Sequence, residues 1–122
     1  MPSFNRVTLM GRLGGDPELR TTPQGALVAH LRLTTNHRWK DGDDWVEETY
    51  WHSVVAYDNL AYLVRGRAVR GDLVPVEGRL RVSTWTGEDG KPKSRTEVVA
   101  QTIQVVGHGR PAGDTPERPE DP

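Results

Sequence analysis

Cysteine is absent from the 122 residues, which excludes disulfides and thiolate metal sites and fits a reducing compartment. Long apolar runs are absent too: no stretch approaches the ~18 residues of a membrane-spanning helix. The opening Met1-Pro2-Ser3-Phe4-Asn5-Arg6 lacks the apolar core of a secretory signal, so a cytoplasmic domain is expected. Hydrophobic residues make up only 34%, enough for one domain with a modest core. A strong charge of either sign is also missing, because the net charge is −1. From Arg110 onward there are two basic residues (Arg110, Arg118) and four acidic ones (Asp114, Glu117, Glu120, Asp121), leaving 14 basic against 13 acidic over residues 1–109. A purely electrostatic nucleic-acid binder would be more basic. Any such binding here must lean on aromatic stacking more than on charge.

The residues of catalysis are missing as well. His30, His37, His52 and His108 have no metal-ligand spacing among them. The carboxylates of 41–48 crowd a loop tip with no apolar wall to shift their pKa values. There is no Gly-Lys-Ser/Thr phosphate loop and no Gly-x-Ser-x-Gly elbow. The chain reads as a non-enzyme without cofactor or metal.

What is present is strand pattern broken by turns. Val7 and Leu9 alternate with Arg6 and Thr8 in a first strand over residues 5–13, and Gly14-Gly15-Asp16-Pro17 turns the chain into a short strand at 18–22. After Pro23-Gln24-Gly25, Leu27, Ala29, Leu31 and Leu33 form one face of a half-buried strand. A further strand follows over about 46–57, and the two enclose the acidic tip 40–44 in a hairpin expected to project. Residues 59–69 are the one helix candidate: Leu60, Leu63 and Val64 share a face, Asp58 is placed to cap, and Gly66 weakens it. Strands at 73–85 and 95–106 flank a second hairpin tip at 86–92. Apart from the short segment 18–22, the order is three strands, one helix, two strands, that of an OB-fold, a five-stranded barrel with a helix between its third and fourth strands. The Pro-rich, mildly acidic segment 110–122 reads as a disordered tail after a domain over 1–109.

Four tryptophans (39, 45, 51, 85) are many for this length, and three tyrosines (50, 57, 62) join them. Filling a core is the ordinary role of large aromatics. Position favours another role for several. Trp51, Ser53, Val55 and Tyr57 share one parity, and the smaller His52, Val54 and Ala56 suit a barrel interior, so the Trp51 face is expected outward. Trp39 lies between Arg38 and Lys40, and Trp85 between two threonines. Together they suit a platform for stacking bases, worth ~1–3 kcal/mol per base whatever its identity. Trp39, however, has the parity of Leu31 and Leu33, so a shared face requires a β-bulge that the sequence does not display.

The segment from Asn5 to Arg20 (NRVTLMGRLGGDPELR) resembles the opening of bacterial single-stranded DNA-binding proteins. Thr49-Tyr50-Trp51-His52-Ser53-Val54-Val55 is similar to that family's third strand, Val76-Glu77-Gly78-Arg79-Leu80-Arg81 with Trp85-Thr86 to its fourth, and Thr96-Glu97-Val98-Val99-Ala100 to its fifth. The resemblance implies a DNA-wrapping homotetramer with one OB-fold per chain, serving DNA replication, recombination or repair. It puts stacking aromatics at Trp39, Trp51, Tyr57 and Trp85, and phosphate contacts at Arg6, Arg20, Lys40, Arg70 and Arg81, with Arg12, Arg38, Lys91 and Lys93 as weaker candidates. It puts the subunit-contact histidine at His52, for which a core histidine satisfied by a backbone carbonyl is the equal alternative.

Three departures stand out. Asp41, Asp43, Asp44, Glu47 and Glu48 occupy a hairpin that is usually basic in the family, and Pro75 falls where a strand residue is expected, which fits an edge or a bulge. The sequence ends Glu120-Asp121-Pro122 without the family's apolar recruiting tip, so recruitment of replication and repair proteins is not expected to carry over in full, and such proteins remain candidate partners. The acidic hairpin keeps a second reading open, an OB-fold protein-interaction module of the replication or primosome machinery, because fold alone does not settle function.

Overall fold

The computed structural model describes residues 2–107; the tail at 110–122 and His108 lie outside them. The strands are β1 (Val7–Leu13), β2 (Glu18–Thr21), β3 (Leu27–Asp41), β4 (Asp44–Tyr57), β5 (Leu73–Thr86) and β6 (Pro92–Ile103), with helix α1 (Asn59–Arg67) between β4 and β5. The sheet order is β1-β5-β6-β4-β3-β2, and a second pairing of β1 with β3 closes five of these strands into a barrel. This is the expected OB-fold. The short β2 pairs with the start of β3 while β1 pairs with its middle, so β1 and β2 act as one strand interrupted at the Gly14–Pro17 turn.

Alternation of apolar residues fixes the interior. Leu27, Ala29, Leu31 and Leu33 of β3 meet Val54 and Ala56 of β4, Val74 and Val76 of β5, and Val98, Ala100 and Ile103 of β6. Helix α1 closes one end of the barrel by burying Ala61 and Val64, with Leu60 and Leu63 half-buried against the same core. Gly78 lets the wall close: a Cβ there would lie 2.0 Å from the Val99 carbonyl oxygen, beside a register shift between β5 and β6. Against expectation, Pro75 is neither at an edge nor in that irregularity: it lies inside β5, which is paired with both β1 and β6, opposite Met10 and two residues before the shift.

Helix α1 departs from expectation at its start. Asp58 makes no side-chain cap; its φ of 57° puts it in the left-handed region, and its N–H is taken by the Leu27 carbonyl at 2.9 Å. The helix nevertheless runs through Gly66, because tertiary burial outweighs the ~1 kcal/mol cost of an internal glycine.

The β3–β4 hairpin projects as expected, and the structure explains Trp39. The register runs without a break from Val28↔Tyr57 to Asp41↔Asp44, so no bulge is present. Trp39 keeps the inward parity but is exposed, because the interior ends at Leu33 and the ribbon beyond it has solvent on both sides. The β5–β6 hairpin also leaves the barrel, and Leu80 and Val82 are exposed on its inward-parity side.

Candidate nucleic-acid interface

Residues directly opposite one another in neighbouring strands share a face, so the register defines the outer surface. Its rows are Arg20–Val28–Tyr57, Glu18–His30–Val55–Val99–Arg79, Arg32–Ser53 and Thr34–Trp51, and on the far side Arg81–Glu97, Ser83–Arg95 and Trp85–Lys93. Val28, Val55 and Val99 form a buried apolar floor on this outer side, apart from the barrel core. Around it stand exposed rings. The same face continues along the ribbon through Asn36–Thr49 and Arg38–Glu47 to Lys40–Trp45.

Each outward ring carries a guanidinium. Arg32 lies 5.6 Å from the Trp51 ring centroid, Arg81 5.6 Å from Tyr57, Arg95 5.8 Å from Trp85 and Arg38 5.0 Å from Trp45. Such cation–π pairs are worth about 0.5–1 kcal/mol at exposed sites. A guanidinium can cover only one face of a ring, and Trp51 keeps 58% of its surface in solvent. The exposed ring surface is what a base would stack on, and the cation beside it suits a phosphate.

Glu97 anchors two of these cations. It is 5% exposed, accepts a hydrogen bond from Arg81 Nη2 at 3.1 Å and lies 3.7 Å from Arg95 Nη1. The Tyr57 hydroxyl first, then the Glu97 carboxylate, raise the Arg81 pKa above its ordinary value, against a smaller opposing effect of burial. Arg81 therefore stays charged at every accessible pH. Glu18, His30, Arg32, Ser53, Arg95 and Glu97 line a shallow groove of about 240 Å³ on this face.

Glycine at position 14 positions the central ring. A Cβ there would fall 2.3 Å from Trp51 Cζ3 and 2.6 Å from Cη2, so the ring lies directly over the β1–β2 turn. The turn itself is held by the Gly14 N–H donating to the Arg32 carbonyl at 2.8 Å.

The Single-strand binding protein family matches residues 4–106 of the sequence. The chain belongs to that family. Its fold is similar to the solved structure described as "Plasmodium falciparum SSB complex with ssDNA", with a TM-score of 0.81 and 29% identity over 88% of this chain and 98% of that one.

In this family member the sequence-predicted aromatics divide. Trp51, Tyr57 and Trp85 lie on the outer face, whereas Trp39 lies on the other side of the ribbon, stacked on His37 at 5.4 Å, with Tyr50 stacked on the same histidine at 6.3 Å. Tyr50 donates to Glu48 Oε1 at 3.0 Å, and that hydrogen bond leads the causes that raise its pKa. The predicted cations are in different states. Arg20 and Lys40 are exposed on the outer face, Arg20 beside Val28 and Lys40 opposite Trp45. Arg81 is engaged by Glu97, and Arg6 by Glu77 at 2.7 Å. Arg70 lies in the turn after α1, where its backbone N–H donates to Asp16 Oδ1 at 2.8 Å, and its side chain makes no ion pair among the described residues. Among the weaker candidates, Arg38 packs on Trp45, Arg12 donates to the Gly71 carbonyl at 3.0 Å, and Lys93 lies 3.7 Å from Asp89.

His52 is half-buried at the barrel end where the ribbon departs; its Nε2 is 2.8 Å from the Thr35 hydroxyl, a side-chain partner rather than a backbone carbonyl. Sequence reasoning missed Arg32, Arg95 and Glu97, whose significance depends on register. It also left Trp45 without a role, although positions 45, 51 and 57 are evenly spaced at six residues and share parity.

Proposed function

We propose that the chain binds single-stranded DNA without sequence preference and protects it during replication, recombination or repair. Unpaired bases stack on Trp51, Tyr57 and Trp85, Trp39 serves from the opposite side of the ribbon, and Arg6, Arg20, Lys40, Arg70 and Arg81 contact phosphates. The observation that carries this reading is one continuous outer face on which exposed rings each stand beside a guanidinium. Every base has a π-face, so rings of this kind accept any sequence. Family membership and the similarity to a protein described in complex with ssDNA support the same reading. We take the working form to be a cytoplasmic, nucleoid-associated homotetramer with His52 at a subunit contact, acting by binding rather than by catalysis.

The test is fluorescence anisotropy with labelled oligo-dT over a range of salt, on protein of measured mass. Trp51→Ala and Trp85→Ala should each weaken binding by ~1–3 kcal/mol. The near-neutral body should give a shallow salt dependence, because each phosphate neutralised on a single strand contributes only about −0.7 to the log–log slope. Unchanged affinity in the double mutant rejects the platform.

The exposed acidic tip with Asp41, Asp43 and Asp44 favours a second reading, a protein-interaction module of the replication or primosome machinery. A partner that survives nuclease treatment in a pull-down, together with no oligo-dT binding, would establish it.

A further inference from the structure

We infer that Trp45, under Arg38, is an additional base-stacking position that carries the DNA track off the barrel and onto the β3–β4 ribbon. This rests on the single-stranded DNA reading proposed above. The ring is 62% exposed, more than Trp51, Tyr57 or Trp85. Its guanidinium is nearer than any other on the outer face, at 5.0 Å. Unbroken pairing places Lys40 directly opposite it and keeps it on the Trp51 side of the ribbon. At the rise of an antiparallel strand, Trp45 lies about 20 Å beyond Trp51, and Trp51 about 20 Å beyond Tyr57. The three rings thus form an evenly spaced line along β4, each beside its own arginine.

The surrounding charge points to the kind of contact. Arg38 and Lys40 share the hairpin with five carboxylates, Asp41, Asp43, Asp44, Glu47 and Glu48, with Glu47 directly opposite Arg38, so the tip has little net attraction for phosphate. Stacking needs no such attraction, and it persists when salt screens charge. Trp45 therefore contributes mainly to long strands and remains effective at high salt.

The experiment compares wild type, Trp45→Ala and Trp45→Phe in oligo-dT titrations of increasing length, at low and high salt, with circular dichroism confirming the fold. Trp45→Ala should leave the shortest bound oligomers unaffected. It should weaken long ones roughly 5- to 150-fold, shorten the length at which affinity levels off, and lose as much at high salt as at low. Trp45→Phe should recover most of the loss. If wild type binds and Trp45→Ala matches it at every length, the inference is overturned while the function stands. A loss equal at all lengths, or one that vanishes at high salt, overturns it too. If wild type binds no oligo-dT, the functional reading itself fails.

Discussion

Gly14→Ala tests whether the central ring owes its place to an absent side chain. Van der Waals contact between carbons requires about 3.5 Å, and the new methyl would begin 2.3 Å from Trp51 Cζ3. One side must therefore yield by about 1.2 Å. The turn is poorly placed to move, because the Gly14 N–H donates to the Arg32 carbonyl. The ring is free to move, because more than half of its surface is in solvent. Stability should fall by at most about 1 kcal/mol, a Tm change of no more than about 4–8 °C for a domain of this size. Binding should weaken more clearly, by about fivefold or ~1 kcal/mol, because a displaced Trp51 leaves its line with Tyr57 and its contact with Arg32. The assay is a double-mutant cycle in oligo-dT anisotropy with melting curves alongside. In a Trp51→Ala background the methyl meets no ring, so Gly14→Ala should have no further effect on binding. Additive losses in that cycle would refute the reasoning, as would a Gly14→Ala protein that binds like wild type.

Two further predictions follow from the charged groups. Glu97→Gln removes the one negative charge that Arg81 and Arg95 share; we expect ~1–3 kcal/mol lower stability by denaturant melts, and a log–log salt slope for oligo-dT steeper by about 0.7, for the one net positive charge gained. Tyr50 should titrate above its ordinary value of 10.0. An unfolded tyrosine ionises near pH 10, so the contribution of the Tyr50–Glu48 bond is complete below that pH and is lost as pH rises through the higher folded value. Ultraviolet titration of phenolate should show Tyr50 ionising late, and Glu48→Gln should move it back toward its ordinary value.

Much of the fold was legible because its elements are periodic. Leu27 to Leu33 display their inward face in alternation, glycine and proline clusters mark the turns, and Leu60, Leu63 and Val64 mark the helix face. Strand ends were less legible: β6 begins at Pro92 rather than near residue 95, since residues beyond the barrel are polar on both faces. The same polarity explains Trp39. Parity states which side a residue occupies, and a core must be present for that side to be inside; Thr35 and His37 at core parity were the signal that it had ended. The pairing of rings with arginines could not be read locally. Arg81 lies beside Tyr57, and Arg95 beside Trp85, only after the strands are aligned. Glu97 was invisible for a related reason, since an outward-parity carboxylate two residues after Arg95 normally reads as solvated.

The arginines resting against Trp45, Trp51, Tyr57 and Trp85 have a thermodynamic consequence for the free protein. A long side chain immobilised on association forfeits about 0.5–1.5 kcal/mol of rotamer freedom. Here both members of each pair already restrict one another before any ligand arrives. Much of that entropic penalty is thus incurred during folding, where the whole barrel shares it, and the surface meets its ligand with the rings already oriented.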